Sequence, residues 1–239
     1  MTTFVLVHGA WHGASAWDRV TALLARSGMR SLTPELRAEP GVGLHEHARQ
    51  VVDAVDAVDE DVVLVGHSYA GLVVRQAADR RPDRVRHIVL IDGWAGGNGV
   101  SLFDLAPHGF VHAIRTAAQD GSIPAPAPAA FGITEPADAA WLAPRLRAHP
   151  LASFTEPTAL TGAVERVPGT AICCRPSAYP FQRFAAELGY DTRLLDGPHD
   201  ILLTAPQTVA DLLIEVGCLI KSAVNLESAV NFESQKGAH

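Results

Sequence analysis

Only three cysteines occur among the 239 residues. Cys173 and Cys174 are neighbours and Cys218 lies far along the chain, so these residues supply neither a disulfide framework nor a Cys-x-x-Cys metal pair. A reducing cytoplasm fits that usage. No apolar run of about 18 residues is present, and no basic segment with an apolar stretch precedes the first strand-like run at Thr3. Neither a membrane span nor an export signal is therefore expected. Blocks of basic charge are missing as well: Lys and Arg number 19 against 26 Asp and Glu, and the net charge of -7 is spread along the chain. Such a surface favours solubility but offers nothing to a phosphate backbone or an anionic membrane. The expected partner is a small molecule, with no nucleic acid and no membrane.

What the chain has in quantity is apolar side chain, 48% against 19% charged, enough to bury one sizeable core. Short apolar runs at 4–8, 29–34, 62–66, 87–91, 170–174 and 191–195 alternate with amphipathic stretches at 17–27, 44–58, 69–80, 180–188 and 206–220. This rhythm predicts an α/β fold, a mostly parallel sheet of about six strands with helices on both faces. The runs at 62–65 and 88–91 read as central strands buried on both sides. Between about 101 and 167 the rhythm fails and the composition turns to Ala and Pro with scattered aromatics, which predicts a helical cap inserted in a single domain over 1–221. The remaining 222–239 holds a short repeat, SAVNLES then SAVNFES. It reads as a frayed extension of the last helix or as an interface element that could join two copies of the chain.

The strongest chemical signal is Gly66-His67-Ser68-Tyr69-Ala70-Gly71, with a strand-like run before it and a helix-like run after it. A serine in that strand-turn-helix context is a nucleophile held at a sharp turn, and its neighbours must be small for strand and helix to approach. Ala70 stands where a second glycine is usual. A serine hydroxyl alone is a poor nucleophile and needs a base. His199, in Asp196-Gly-Pro-His-Asp200 between the last strand and the last helix, is placed for that role. The turn His8-Gly-Ala-Trp-His-Gly13 directly after the first strand offers backbone N–H groups, and those of Ala10 and Tyr69 would form an oxyanion hole. A metal pair of His8 and His12 is disfavoured because Gly9 spoils the helix that would align them, so no metal and no cofactor is expected. The histidines at 45, 47, 87, 108, 112, 149 and 239 read as surface or cap residues.

Taken together these residues resemble the α/β-hydrolase superfamily, and within it the small esterase and hydroxynitrile-lyase-like branch, across 4–220. Leu90-Ile-Asp-Gly-Trp94 and Gly197-Pro-His-Asp-Ile-Leu-Leu-Thr-Ala-Pro206 add to the likeness. The resemblance places the triad acid in the loop after the run at 170–174, yet that loop reads Arg175-Pro-Ser-Ala-Tyr179 and holds no carboxylate. The fold tolerates a second position at the end of the strand after the nucleophile helix, which selects Asp92. Asp92 as a plain turn residue, Asp196 or Asp200 as substitutes, a Ser–His dyad, and a neutral hydrogen bond from Ser177 stay open. Lyase members carry a threonine and a lysine where this chain has Gly9 and Asp200, which points away from lyase chemistry.

The resemblance implies a serine hydrolase acting through a Ser68 acyl-enzyme on an ester, thioester or lactone. An acyltransferase or a catalytically weak binding protein are the alternatives. Trp11, Trp94, Phe103 and Trp141 are the expected substrate contacts, with Phe110, Phe131 and Phe154 adding to an apolar pocket.

Overall fold

The structure, a computed structural model, describes residues 2–236, with side chains through 222. The chain begins β1 (Thr2–Val7), α1 (Asp18–Arg26), β2 (Arg30–Leu32), α2 (Leu44–Asp56), β3 (Asp61–His67), α3 (Ala70–Arg80) and β4 (Val85–Ile91). A cap follows, made of α4 (Leu102–Leu105), α5 (His108–Ala117), a two-residue strand β5 (Ser122–Ile123), α6 (Pro136–Leu142), its antiparallel partner β6 (His149–Pro150) and α7 (Ala152–Thr155). The chain then returns to the sheet with β7 (Gly169–Arg175), α8 (Phe181–Glu187), β8 (Asp191–Asp196), α9 (Ile201–Thr204) and α10 (Pro206–Lys236).

The six long-range strands form one parallel sheet in the order β2-β1-β3-β4-β7-β8. Every residue of β1 is buried, as are six of the seven in β3, because helices cover both faces and the strands carry Val, Leu and Ile on both sides. The sheet begins one strand in from an edge, with β1, and adds β2 on one side and the other four strands on the other. The crevice where this direction reverses lies at the carboxyl ends of the strands, and there the loops after β1, β3, β4 and β8 meet.

The cap is anchored to α3 by buried polar side chains. Asp79 accepts the N–H groups of Thr161 (2.7 Å) and Val164 (3.0 Å), and Gln76 accepts that of Ala159 (2.7 Å). Two boundaries differ from the sequence reading. The strand expected at 29–34 shrinks to Arg30–Leu32, since an edge strand loses its pairing before Pro34. The helix α9 fills a turn directly after His199 that apolar periodicity was too short to announce. The last helix continues past 220, and the tail at 222–239, read above as frayed or interfacial, falls outside the described side chains apart from Ser222.

Candidate active site

β3 ends at His67 and α3 begins at Ala70, so Ser68 turns the chain in between, at φ 55. A left-handed conformation in a non-glycine residue costs about 1–3 kcal/mol and persists only where its surroundings enforce it. Here the Ser68 N–H donates to Ile91 O (3.0 Å), and Ser68 O accepts the N–H groups of Gly71 and Trp94 (both 3.0 Å). The tightness explains the small neighbours. A Cβ on Gly66 would lie 2.7 Å from Ala70 O, and one on Gly71 would lie 2.4 Å from Trp94 O. Gly9 belongs to the same crowding, since a Cβ there would stand 3.0 Å from that of Ser68.

His199 reaches the turn from the loop after β8. Its Nε2 lies 2.9 Å from Ser68 Oγ and its Nδ1 lies 3.0 Å from Asp92 Oδ2. Phe181 stacks on the imidazole at 13° and 5.6 Å, fixing the plane of the ring. Asp92 is buried at the end of β4, at φ 44, and its second oxygen accepts the Cys174 N–H at 2.8 Å. A carboxylate facing Nδ1 requires the hydrogen on that nitrogen, which leaves the Nε2 lone pair toward the serine hydroxyl.

The other candidates for the acid are engaged elsewhere. Asp196 is exposed and pairs with Arg175 (2.9 Å), the Ser177 hydroxyl bonds the backbone of Tyr179, and Asp200 turns away to His12 (2.9 Å).

Neither the Ala10 N–H nor the Tyr69 N–H has an acceptor among the described residues. Both residues line a cavity of about 430 Å³ together with Ser68 and His199. The rest of its wall is Trp11, Trp94, Leu102, Phe110, Ile114, Ile123, Phe131, Phe154 and Tyr179 with short Ala and Pro side chains, and no acidic or basic side chain other than His199 contributes. The Tyr69 phenol takes no part in this surface chemistry, because it is anchored to His47 Nδ1 at 2.7 Å.

Two expected substrate contacts do not reach the cavity. On α4 it is Leu102 that faces it, and one residue further round the helix Phe103 lies behind Phe154 (6.0 Å) under the Arg115 guanidinium. On α6 Leu142 is buried, so Trp141 lies outward between Arg19 and Arg145. Tyr179, by contrast, was not expected. It enters from the loop that carries no acid and leans on Trp94 (5.1 Å) and Phe110 (5.6 Å).

One histidine needs correction: His47 is buried in the core rather than superficial, while His149 lies in the cap as expected and is buried there. His47 shares the inward face of α2 with Leu44, Ala48 and Val51, and its Nε2–H donates to Arg37 O (2.7 Å). His149 contacts the Ser153 hydroxyl (2.8 Å), and burial holds its pKa well below the usual imidazole value. His8 and His12 do not converge on a shared point. His8 accepts the Leu36 N–H and bonds Gly9 O, while His12 bonds Ala10 O and Asp200. Burial pushes His8 and His67 down to about 3, so both are neutral hydrogen-bonding groups. A second cavity, about 510 Å³, opens at the opposite end of the sheet between β4, β7, β8 and α10 and shares no residue with this constellation.

The model of the Alpha/beta hydrolase family matches residues 4–212. The chain is 31% identical to a carbendazim hydrolyzing esterase of Nocardioides sp. (strain SG-4G), over 91% of this chain and all of that one. It is 40% identical to Esterase PIR7B of Oryza sativa subsp. japonica over a segment that makes up 37% of each. Among solved structures it is similar to an extracellular alpha/beta-hydrolase from a Paenibacillus species, with a TM-score of 0.81, 24% identity, and coverage of 90% of this chain and 98% of that one. With the family model spanning most of its length and a full-length relative above 30% identity, this chain belongs to the alpha/beta hydrolase family.

Proposed function

We propose that the chain is a serine esterase that hydrolyses a neutral carboxylic ester, or a closely related thioester or lactone, of a mainly apolar small molecule. The observation that carries this reading is the continuous relay from Asp92 through His199 to Ser68 beneath two backbone N–H groups without protein acceptors. In the forward step Ser68 Oγ attacks the acyl carbonyl while its proton passes to His199 Nε2, and the carbonyl electrons move to the oxygen, which accepts the N–H groups of Ala10 and Tyr69. The imidazolium then returns that proton to the departing alkoxide as the C–O bond breaks. Water repeats the sequence in reverse on the acyl-enzyme, releasing the acid and restoring the serine hydroxyl. The Asp92 carboxylate keeps the hydrogen on Nδ1 and offsets the charge on the ring throughout.

A wall without fixed charge favours a neutral substrate, and the product acid leaves a site that holds no cation for it other than His199. The Nocardioides relative makes carbendazim a natural member of the first substrate panel. Lyase chemistry is not supported: at Gly9 a larger side chain would crowd Ser68, and the Asp200 carboxylate is committed to His12. Transfer of the acyl group to another acceptor would pass through the same intermediate, and product analysis with added alcohol separates the two.

A reducing, cytoplasmic setting belongs to the same reading and rests on three free cysteines, of which Cys173 and Cys174 are buried. No helix among the described residues is long and apolar enough to cross a membrane.

The test is covalent. A fluorophosphonate should add one phosphonyl group to the intact protein and none to Ser68→Ala. No adduct on the wild type, or an adduct that persists in the variant, defeats the proposal.

A further inference from the structure

His12 and Asp200 are both buried and lie on the two segments that carry reacting groups, His12 two residues after Ala10 and Asp200 immediately after His199. The two nitrogens of His12 face acceptors on opposite sides: Nδ1 is 2.8 Å from Ala10 O and Nε2 is 2.9 Å from Asp200 Oδ2. A neutral imidazole has one N–H and serves one acceptor, whereas an imidazolium serves both. Trp11, between Ala10 and His12, sits at φ 65, so the turn needs outside restraint to keep its shape. Arg147 adds some of it, its backbone N–H donating to Trp11 O (2.9 Å) and its Nε–H to His12 O (3.1 Å).

We propose that His12 and Asp200 are a positioning pair, a buried imidazolium–carboxylate clamp that holds the Ala10 turn against the His199 loop so that the Ala10 N–H meets the oxyanion. The proposal rests on the esterase reading given above. A buried ion pair adds little to stability compared with packed apolar residues, so its placement across two reacting loops is the more informative fact. The turn at Ser68 makes a parallel tie, His67 Nε2–H donating to His199 O at 3.0 Å. Neither His12 nor Asp200 lines the cavity.

The pair has a defined range of pH. Burial opposes the charge on His12, but the Asp200 charge and hydrogen bond outweigh it and raise its pKa above the usual imidazole value. Burial likewise opposes the charge on Asp200, and His12 outweighs it, leaving that carboxyl below its usual range. The other titratable or charged groups around them are His8 on the same turn, His67 at the Ser68 turn, His199 on its loop, the Cys174 thiol at the end of β7, and Arg147 and His149 from the cap, with Glu35 paired to Arg147 beyond. The clamp is therefore whole at neutral pH and is lost as pH rises through the raised value of His12, when one of its two hydrogen bonds must go.

The experiment follows kcat and KM for p-nitrophenyl acetate from about pH 6 to about pH 9.5 in the wild type, Asp200→Ala and Asp200→Asn. In Asp200→Ala, kcat falls about 100-fold, as for a reacting group displaced by about 1 Å, while KM changes less than about threefold. In Asp200→Asn, an amide N–H donates to Nε2 of a neutral His12 whose Nδ1–H still reaches Ala10 O. There kcat recovers to at least about tenfold above the alanine variant, and the alkaline fall of the wild type disappears. The clamp is overturned if kcat of Asp200→Ala stays within about threefold of the wild type, if Asp200→Asn is as slow as Asp200→Ala, or if its alkaline limb matches the wild type. Should the alanine variant not fold, the pH profile of the asparagine variant decides alone. A wild type that neither turns over nor takes the fluorophosphonate overturns the esterase reading instead, so the two failures are distinct.

Discussion

Replacing Asp92 by asparagine changes one atom and should stop the enzyme. The side chain has two obligations, accepting the Cys174 N–H at 2.8 Å and the His199 Nδ1–H at 3.0 Å. The Cys174 N–H belongs to the backbone of β7 and cannot turn, so the amide oxygen of an asparagine is drawn to it. The NH2 group then faces His199 Nδ1, which must become an acceptor, and the ring hydrogen moves to Nε2. With a hydrogen rather than a lone pair 2.9 Å from Ser68 Oγ, the histidine no longer takes the serine proton. Trapping the wrong tautomer lowers kcat by about 10,000-fold. At about 1.36 kcal/mol per decade this is about 5.4 kcal/mol of transition-state stabilisation, with KM little changed. Because shape and both hydrogen bonds are preserved, thermal unfolding should stay within about 4 °C of the wild type. The assay is steady-state hydrolysis of p-nitrophenyl acetate by protein freed of wild-type contamination. A loss smaller than about 30-fold with the fold intact would refute the assignment of Asp92 as the acid.

Gly71→Ala drives a methyl into Trp94 O, a backbone atom, and should cost about 1–3 kcal/mol in urea denaturation. Gly97→Ala, which meets nothing within 4 Å, should stay within about 0.5 kcal/mol. Ala113→Phe on α5 fills part of the cavity, so KM for p-nitrophenyl decanoate should rise at least about tenfold more than KM for the acetate; equal changes would argue against this wall as the acyl site. Asp79 holds the cap base. Burial raises its pKa, but the N–H groups of Thr161 and Val164 bring it below the usual value. Its contribution is thus present above about pH 3.9 and fades as pH falls through the lowered folded value. Asp79→Ala should cost about 1–3 kcal/mol at neutral pH, a deficit that narrows in acid, and a deficit constant with pH would contradict this origin.

The sheet was legible because central parallel strands are buried on both faces and so appear as unbroken apolar runs, as at 62–65 and 88–91. Ser68 and His199 were legible because their chemistry requires a fixed local context, a crowded turn for one and a loop between the last strand and helix for the other. The cavity wall was less so. Phe103 and Leu102 differ by one step around a short helix, and composition alone does not say which step faces inward. His47 was misread for a related reason: a histidine among apolar residues becomes a core residue once a partner such as the Tyr69 phenol satisfies it, and that partner lies beyond the end of another strand.

The position of Asp92 also affects the segment that lacks an acid. The loop from Arg175 to Pro180 lends a tyrosine to the cavity while the proton relay is anchored on β4. Ser177 and Tyr179 bond each other rather than Asp92 or His199, whereas Arg175 pairs with Asp196 at the end of β8, where the loop that carries His199 begins. Part of the recognition surface is in this way carried by a strand that holds no member of the relay, so the loop after β7 is one place where a new preference for substrate can arise, by selection or by design, with the reaction itself left unchanged.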